Sequence, residues 1–179
     1  MTDESKILVR GEKVSLRLMT KDDTDLIVSW RNNERVRGNF VYREKFTRST
    51  HERWIKEKVE TGKVVQFIIC ENESGYRPVG SVYFRDIDRE MGTAEYGIFI
   101  GEDDAVGKGY GNETVILAVE YARENLDLNE VILRAFVYNT AAISSYEYAG
   151  FVKVRDLPAV ECSDGQKNDM ILMKKIFSK

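Results

Sequence analysis

Three glycines alternate through Val106-Gly107-Lys108-Gly109-Tyr110-Gly111, and Asn112 follows. Glycines leave the main chain uncovered, so successive N–H groups can turn together toward an anion such as a diphosphate. Val115, Ala118, Val119, Ala122 and Leu126 then recur at helical spacing. The first turn of such a helix adds unpartnered donors and the positive end of its dipole. Before the loop, Ala94, Tyr96, Ile98 and Ile100 alternate as one face of a strand. Two familiar phosphate loops fail on spacing. A nucleotide-triphosphate loop needs Ser or Thr after its Gly-Lys pair, and Lys108 is followed by Gly109. A dinucleotide fingerprint needs Gly-x-Gly-x-x-Gly after a first strand, whereas this Gly-x-Gly-x-Gly comes past residue 100. A plain glycine-rich turn is the competing account.

A second stretch carries more chemistry: Asn139-Thr140-Ala141-Ala142-Ile143-Ser144-Ser145-Tyr146-Glu147-Tyr148-Ala149-Gly150-Phe151. Asn139 suits a helix N-cap and Gly150 a left-handed stop. Tyr146 lies two turns after Asn139 on nearly the same face. A strand from Val131 to Val137 leads in, and another beginning near Phe151 leads out.

Together the two stretches resemble the GNAT superfamily of acyl-CoA-dependent N-acyltransferases. That family shows Arg/Gln-x-x-Gly-x-Gly/Ala at the loop, then an Asn-led helix bearing a Tyr and closing in Gly-Phe. Val106 stands where the family usually has Arg or Gln. The resemblance runs from near Val14 to near Met173, and Asp164 to Met173 is similar to the end of the branch with ribosomal-protein and spermidine acetyltransferases. It implies an α/β (α+β) GNAT fold. Its mixed, mostly antiparallel sheet has about seven strands flanked by about four helices, with a splayed strand pair holding acyl-CoA.

The resemblance also implies roles. Acetyl-CoA is the acyl donor, its diphosphate on Val106, Gly107, Lys108, Gly109, Tyr110, Gly111 and Asn112. The backbone of Ile98, Phe99 and Ile100 pairs with the pantetheine arm, and Asn139 contacts that arm. Tyr146 is the acid for the leaving thiolate, in a direct transfer within a ternary complex. Glu95, on the strand face opposite Tyr96 and Ile98, helps deprotonate the amine through water. Ser29-Trp30-Arg31-Asn32 resembles a segment of acetyltransferases acting on nucleotide-linked amino sugars, which places Trp30 and Arg31 at the acceptor. Plainer readings stand beside these: Tyr146 as a packed aromatic, Asn139 as a helix cap, Glu95 as a strand-edge glutamate, Trp30 as a core anchor. Glu102, Asp103 and Asp104, odd neighbours for an anion site, are expected to face solvent.

The elements that must position these residues follow from periodicity. The pattern predicts a strand near 14–18 and helices near 22–32 and 49–60. Strands follow near 65–70, 79–85 and 93–100, then a helix near 112–125 and a last strand ending near Lys174. Short connections suit hairpins among the middle strands, and the later strands alternate with helices, so the sheet is mixed.

Composition suits one soluble domain over 1–179. Charged residues make up 32%, and no apolar run nears the ~20 residues needed to span a bilayer. The acidic start does not read as a signal peptide. Cys70 and Cys162 lack metal-ligand spacing and read as free thiols in a reducing cytoplasm. With a single histidine, His51, neither a zinc site nor a Ser-His-Asp mechanism is expected. A net charge of −3 gives no sign of a nucleic-acid partner. Yet from Arg31 to Arg53 seven basic residues face three acidic ones, +4 locally against −7 elsewhere. In GNAT relatives this region walls the acceptor pocket, so a basic wall would suit an anionic acceptor; a solvated helix face is the bland alternative. The expected amine is a nucleotide-linked amino sugar, then a protein or peptide N-terminus, then a polyamine. Many relatives form homodimers through the last strands. Two other classes stay open: an acyl-CoA-binding module without catalysis, and a nucleotide-binding protein.

Overall fold

The structure, a computed structural model, describes residues 3–178. Eight strands form one sheet: β1 (Val9–Arg10), β2 (Val14–Leu18), β3 (Val65–Glu71), β4 (Arg77–Asp88), β5 (Thr93–Ile100), β6 (Glu130–Phe136), β7 (Val152–Glu161) and β8 (Lys167–Ile176). Their order across the sheet is β1-β2-β3-β4-β5-β6-β8-β7. Five α-helices accompany them: α1 (Thr24–Asn32), α2 (Glu34–Arg37), α3 (Arg48–Trp54), α4 (Tyr110–Asn125) and α5 (Thr140–Tyr148). The expected seven strands and four helices thus become eight and five. The additions, β1 and α2, are too short to show a period in sequence. The helix expected near 49–60 is α3 followed by a π-turn over Ile55–Val59.

The middle of the sheet is buried on both sides. Phe67 and Ile69 of β3 join Val82, Phe84 and Tyr96 beneath α4, whose Val115, Ala118, Val119 and Ala122 cover them. Ile68 and Cys70 point the other way, with Phe99, into a second cluster beneath Ile27 and Trp30 of α1. Burial on both faces explains the unbroken apolar run Phe67-Ile68-Ile69-Cys70, which period-two alternation alone would not produce. Cys162 lies in a third small cluster with Phe136 and Met170. Among the described residues no helix is long and apolar enough to cross a membrane, and no group of three or more His, Cys, Asp or Glu could hold a metal ion.

Connections decide the topology. α4 carries the chain from the end of β5 to the start of β6, a crossover that makes these two strands parallel. The other neighbours pair antiparallel. After β6, α5 takes the chain past the next position, and the β7–β8 hairpin returns to fill it.

One buried ion pair fixes α1 on the sheet. Arg17 of β2 donates to Asp23 through Nη1 at 2.8 Å and Nη2 at 2.7 Å, and Thr20 N donates to the same carboxylate at 2.8 Å. Breaking one partner of such a pair costs about 3–5 kcal/mol, because the other charge stays buried. Asp23→Ala is expected to lower unfolding stability by about that amount in urea titrations. A loss under ~1 kcal/mol would show that the pair does not anchor α1.

Candidate active site

β5 and β6 pair over only three residues, Thr93 with Glu130, Ala94 with Val131 and Glu95 with Ile132. Beyond Glu95 they separate, while β5 continues to pair with β4 through Ile100. A cavity of about 540 Å³ occupies the gap. It is lined by Glu95, Gly97 and Phe99 from one face of β5, by Tyr96 and Ile98 from the other, and by Asn139 and Tyr146. Only an opening in the sheet allows residues of both faces to line one cavity.

The open edge of β5 belongs to alternate residues. Gly101 N donates to Val79 O at 2.7 Å, so Phe99 shares that inward side, toward β4. Ile98 and Ile100, opposite Val82 and Gly80, turn their main chain to the open side. Of the three residues expected to pair through their backbone with a ligand, Phe99 therefore contributes its ring and not its amide. Arg35 Nη1 already occupies Ile100 O at 2.9 Å.

The glycine loop sits at the far end of β5, outside the cavity. Gly107 and Gly109 both hold left-handed backbone, with φ of 78° and 81°. That conformation penalises other residues and lets the loop double back into α4 with Gly109 as its cap. The amides of Gly111 and Asn112 lie in the first helical turn, and no hydrogen bond among the described residues takes them. Glu113 braces this turn: its carboxylate accepts the N–H groups of Glu12, Lys13 and Val14, each at 2.8 Å.

Two side chains of the loop turn away from an incoming anion. Tyr110 is buried and donates its hydroxyl to Glu71 Oε2 at 2.8 Å, while Lys108 Nζ stands 3.5 Å from the same oxygen. Ser74 Oγ, first, and then Tyr110, with Arg77 and Lys108 nearby, hold the Glu71 carboxyl down to about 2. The loop's anion donors are thus its amides. A cation that sequence reasoning missed stands beside them: Lys13 Nζ lies 3.2 Å from where a Cβ on Gly109 would be. No local pattern announces it, because β1, β2 and the loop meet only in the fold.

Of the acids before the loop, Asp103 and Asp104 are exposed as expected and Glu102 is partly buried, and all three are paired. Glu102 accepts from Trp30 Nε1 at 2.8 Å, Asp103 from Asn33 and Arg35, and Asp104 from Arg77. They fasten the end of β5 to α1, α2 and β4. Trp30 is correspondingly a core anchor and does not line the cavity. It is 3% exposed, its indole against Gly101 and edge-on to Phe99.

Tyr146 is held by the end of its own helix. Phe151 N donates to Tyr146 O and Gly150 N to Glu147 O, both at 3.0 Å. This is the paired closure of a helix ending in left-handed Gly150, with the usual apolar contact between the residues it joins. Phe151 and Tyr146 rings stand 6.0 Å apart, and Tyr96 meets Tyr146 edge-on at 5.9 Å. Burial, then Tyr83, raises the Tyr146 phenol above its ordinary pKa, so it keeps its proton. Asn139 precedes α5 but its side chain makes no capping hydrogen bond; it lines the cavity instead.

The remaining cavity wall is basic. Arg31, Arg53, Lys58, Arg85 and Arg134 line it against Glu57 and Glu95. From the basic segment noted in sequence only Arg31 and Arg53 reach it; Arg35, Arg43 and Arg48 pair with acids elsewhere. Glu95 Oε1 takes both Arg134 Nε at 2.8 Å and Arg85 Nη2 at 3.1 Å. His51 is buried, with Nδ1 3.0 Å from Thr24 Oγ1, and burial followed by Arg31 holds it down to about 4. It is therefore neutral at pH 7, and its ring hydrogen bond goes to a threonine and not to a carboxylate.

A family model described as the acetyltransferase (GNAT) domain matches residues 13–152. An uncharacterized N-acetyltransferase, p20, of Bacillus licheniformis is 26% identical, over 90% of this chain and 91% of its own length. An uncharacterized protein of Methanocaldococcus jannaschii is also 26% identical, over 84% of this chain. The aligned region is 30% of that longer protein. Among solved structures, spermidine N-acetyltransferase from Vibrio cholerae in complex with CoA and spermine superposes with a TM-score of 0.84. The identity is 22%, over 93% of this chain and 96% of that one. At that identity the likeness is one of fold.

Glu71 gives the loop a pH dependence. A carboxyl at about 2 when folded and 4.5 when unfolded contributes stability above pH 4.5, lost as pH falls toward 2. Glu71→Gln is expected to cost about 1–3 kcal/mol at pH 7, the gap closing in acid. Urea melts from pH 7 to pH 2.5 check this, and a gap that stays constant would refute an ionised Glu71 as the tie.

Proposed function

The chain belongs to the GNAT acetyltransferase family, and on that premise we propose that it transfers an acetyl group from acetyl-CoA directly to a primary amine in the cavity. The observation that carries the reading is a buried tyrosine, kept protonated, that lines the cavity of a split sheet, with a glycine loop at the far end of β5 whose Gly111 and Asn112 amides no described residue takes.

The residues fit the donor. The open edge of β5, the Asn139 side chain and the amides of Val106 to Asn112 offer donors and acceptors, and among the described residues no hydrogen bond takes the amides of Gly111 and Asn112 or the Asn139 side chain. Side chains grafted at Gly107 or Gly111 would meet nothing within 4 Å, so the loop stands open. The loop amides would hold the diphosphate, Ile98 and Ile100 the pantetheine arm through their main chain, and Asn139 its amides. Bound acetyl-CoA supplies an activated acyl group and a thiol leaving group.

The chain's own groups supply the rest. Free thiols have a pKa of about 8.5, so an acid beside the departing sulfur helps. The Tyr146 hydroxyl holds that proton, and the rings of Tyr96 and Phe151 keep it in place and exclude water. The Ile98 N–H, on the open side of β5, is available to a developing oxyanion. Glu95 lines the cavity, and its Oε2, the oxygen not shared by the two arginines, is the assigned route, through water, for the proton lost by the amine. A homodimer is assigned to the exposed outer strand β7.

The acceptor is a primary amine of a small molecule or a peptide terminus. The activity named for the Vibrio cholerae structure brings a polyamine forward as a second reading. The five basic side chains on the cavity wall oppose it.

Tyr146→Phe removes the acid and keeps the ring. It is expected to lower kcat by about 10²- to 10⁴-fold with acetyl-CoA affinity unchanged, measured by thiol release and calorimetry. Unchanged turnover would reject Tyr146 as the acid, and absence of acetyl-CoA binding by the parent chain would reject the reading as a whole.

A further inference from the structure

Arg31 stands inside the cavity without an acid. Its guanidinium lies 3.8 Å from the ring centre of Phe40 and 4.5 Å from that of Phe46. Among the described residues no carboxylate pairs with it and no hydrogen bond reaches it. Stacking on aromatic faces offsets part of the cost of enclosing the charge. It leaves the N–H donors in the guanidinium plane unused, and those are the donors that grip an oxyanion in bidentate fashion.

Arg85 is near enough to repel Arg31, and it belongs to a second underneutralised group. Glu95, 13% exposed, offers a single oxygen to both Arg85 and Arg134. Of the acids that line the cavity, Glu95 alone meets any of these three guanidiniums, a surplus of +2 inside it; Arg85 has a further acid, Asp86, at 3.9 Å, exposed and outside the lining. Arg134 lies on β6 and Arg85 on β4, so the shared Glu95 ties them together across the point where the sheet opens. A protein cavity that gathers like charges this way is stable when an anion completes it.

Resting on the transferase reading above, we infer that the amine accepted here carries an oxyanion, a phosphate ahead of a carboxylate, seated between Arg31 on one wall and Arg85 with Arg134 on the other. Glu95, through the Oε1 it gives to both, also positions that pair, while its Oε2 keeps the proton role assigned above. A phosphate monoester near pH 7 carries about −1.5 to −2, which matches the surplus. A polyamine presents only positive charge and meets three guanidiniums.

The test titrates four amines into the full chain saturated with CoA, so that the loop's own anion site is filled. Glucosamine 6-phosphate carries a phosphate and glucosaminic acid a carboxylate, whereas glucosamine and spermidine carry no anionic group. Calorimetry is expected to give the phosphate at least about tenfold tighter binding than glucosamine, the worth of one charge-assisted hydrogen bond. In Arg31→Gln that ratio should fall toward one. Arg134→Gln, on the partly exposed opposite wall, should do the same and covers the case in which Arg31→Gln fails to fold. A preference confined to glucosaminic acid supports the site with a carboxylate as its ligand. Equal binding of the three sugars, tightest binding of spermidine, or a ratio that survives either folded variant would overturn the inference. Turnover of the same four amines with acetyl-CoA in place of CoA separates the two ideas. Anion-dependent binding without acetylation supports the site and rejects the transferase; acetylation of all amines alike does the reverse.

Discussion

The separation of β5 from β6 after three paired residues governs the rest of the molecule. A sheet interior normally satisfies every main-chain group with a neighbouring strand. Here the amides of Ile98 and Ile100 are turned into a gap, and that gap admits Tyr96, Ile98 and Tyr146 from one face and Glu95, Gly97 and Phe99 from the other. One backbone irregularity thus creates an edge that can pair with an extended ligand and a passage between the two halves of the core. The Glu95–Arg134 contact closes the base of the opening where hydrogen bonding between the strands stops.

The two ends of this opening are fixed by different local devices. At the loop end, buried Tyr110 and the Glu113 carboxylate tie the start of α4 to β3 and to the β1–β2 turn. The amides between them stay exposed because the side chains that might cover them are committed elsewhere. At the other end the closure of α5 over Gly150 sets Tyr146 against Phe151 and Tyr96, and burial keeps the phenol neutral. A loop held by charges and a tyrosine held by rings need not move together.

Charge is partitioned as carefully as packing. Net charge is −3 over the chain, yet the cavity wall is basic. The difference arises because Asp103, Asp104 and Glu102 are spent fastening β5 to its surroundings, while Arg31 is enclosed among Phe40 and Phe46 with no acid at all. Counting charges along 31–53 found the sign of the wall but only two of its members, Arg31 and Arg53: Arg35, Arg43 and Arg48 face acids, and Arg85 and Arg134 arrive from β4 and β6.

The sequence by itself determined the elements and the local chemistry. Alternation marked β5 with its observed ends, helical spacing marked α4, and the Asn139-to-Phe151 stretch marked α5 with its stop, because these signals depend on neighbours within a few residues. It also named the glycine loop and the tyrosine. What only the tertiary structure decided is which groups remain available. Trp30 became a core anchor, Phe99 gave its ring in place of its amide, Tyr110 and Lys108 turned to Glu71, and Lys13 came to rest beside Gly109. Each outcome depends on strand register and on contacts between residues remote in the chain. Such contacts compete for the same hydrogen bonds and charges, and spacing along the chain carries no record of which partner wins.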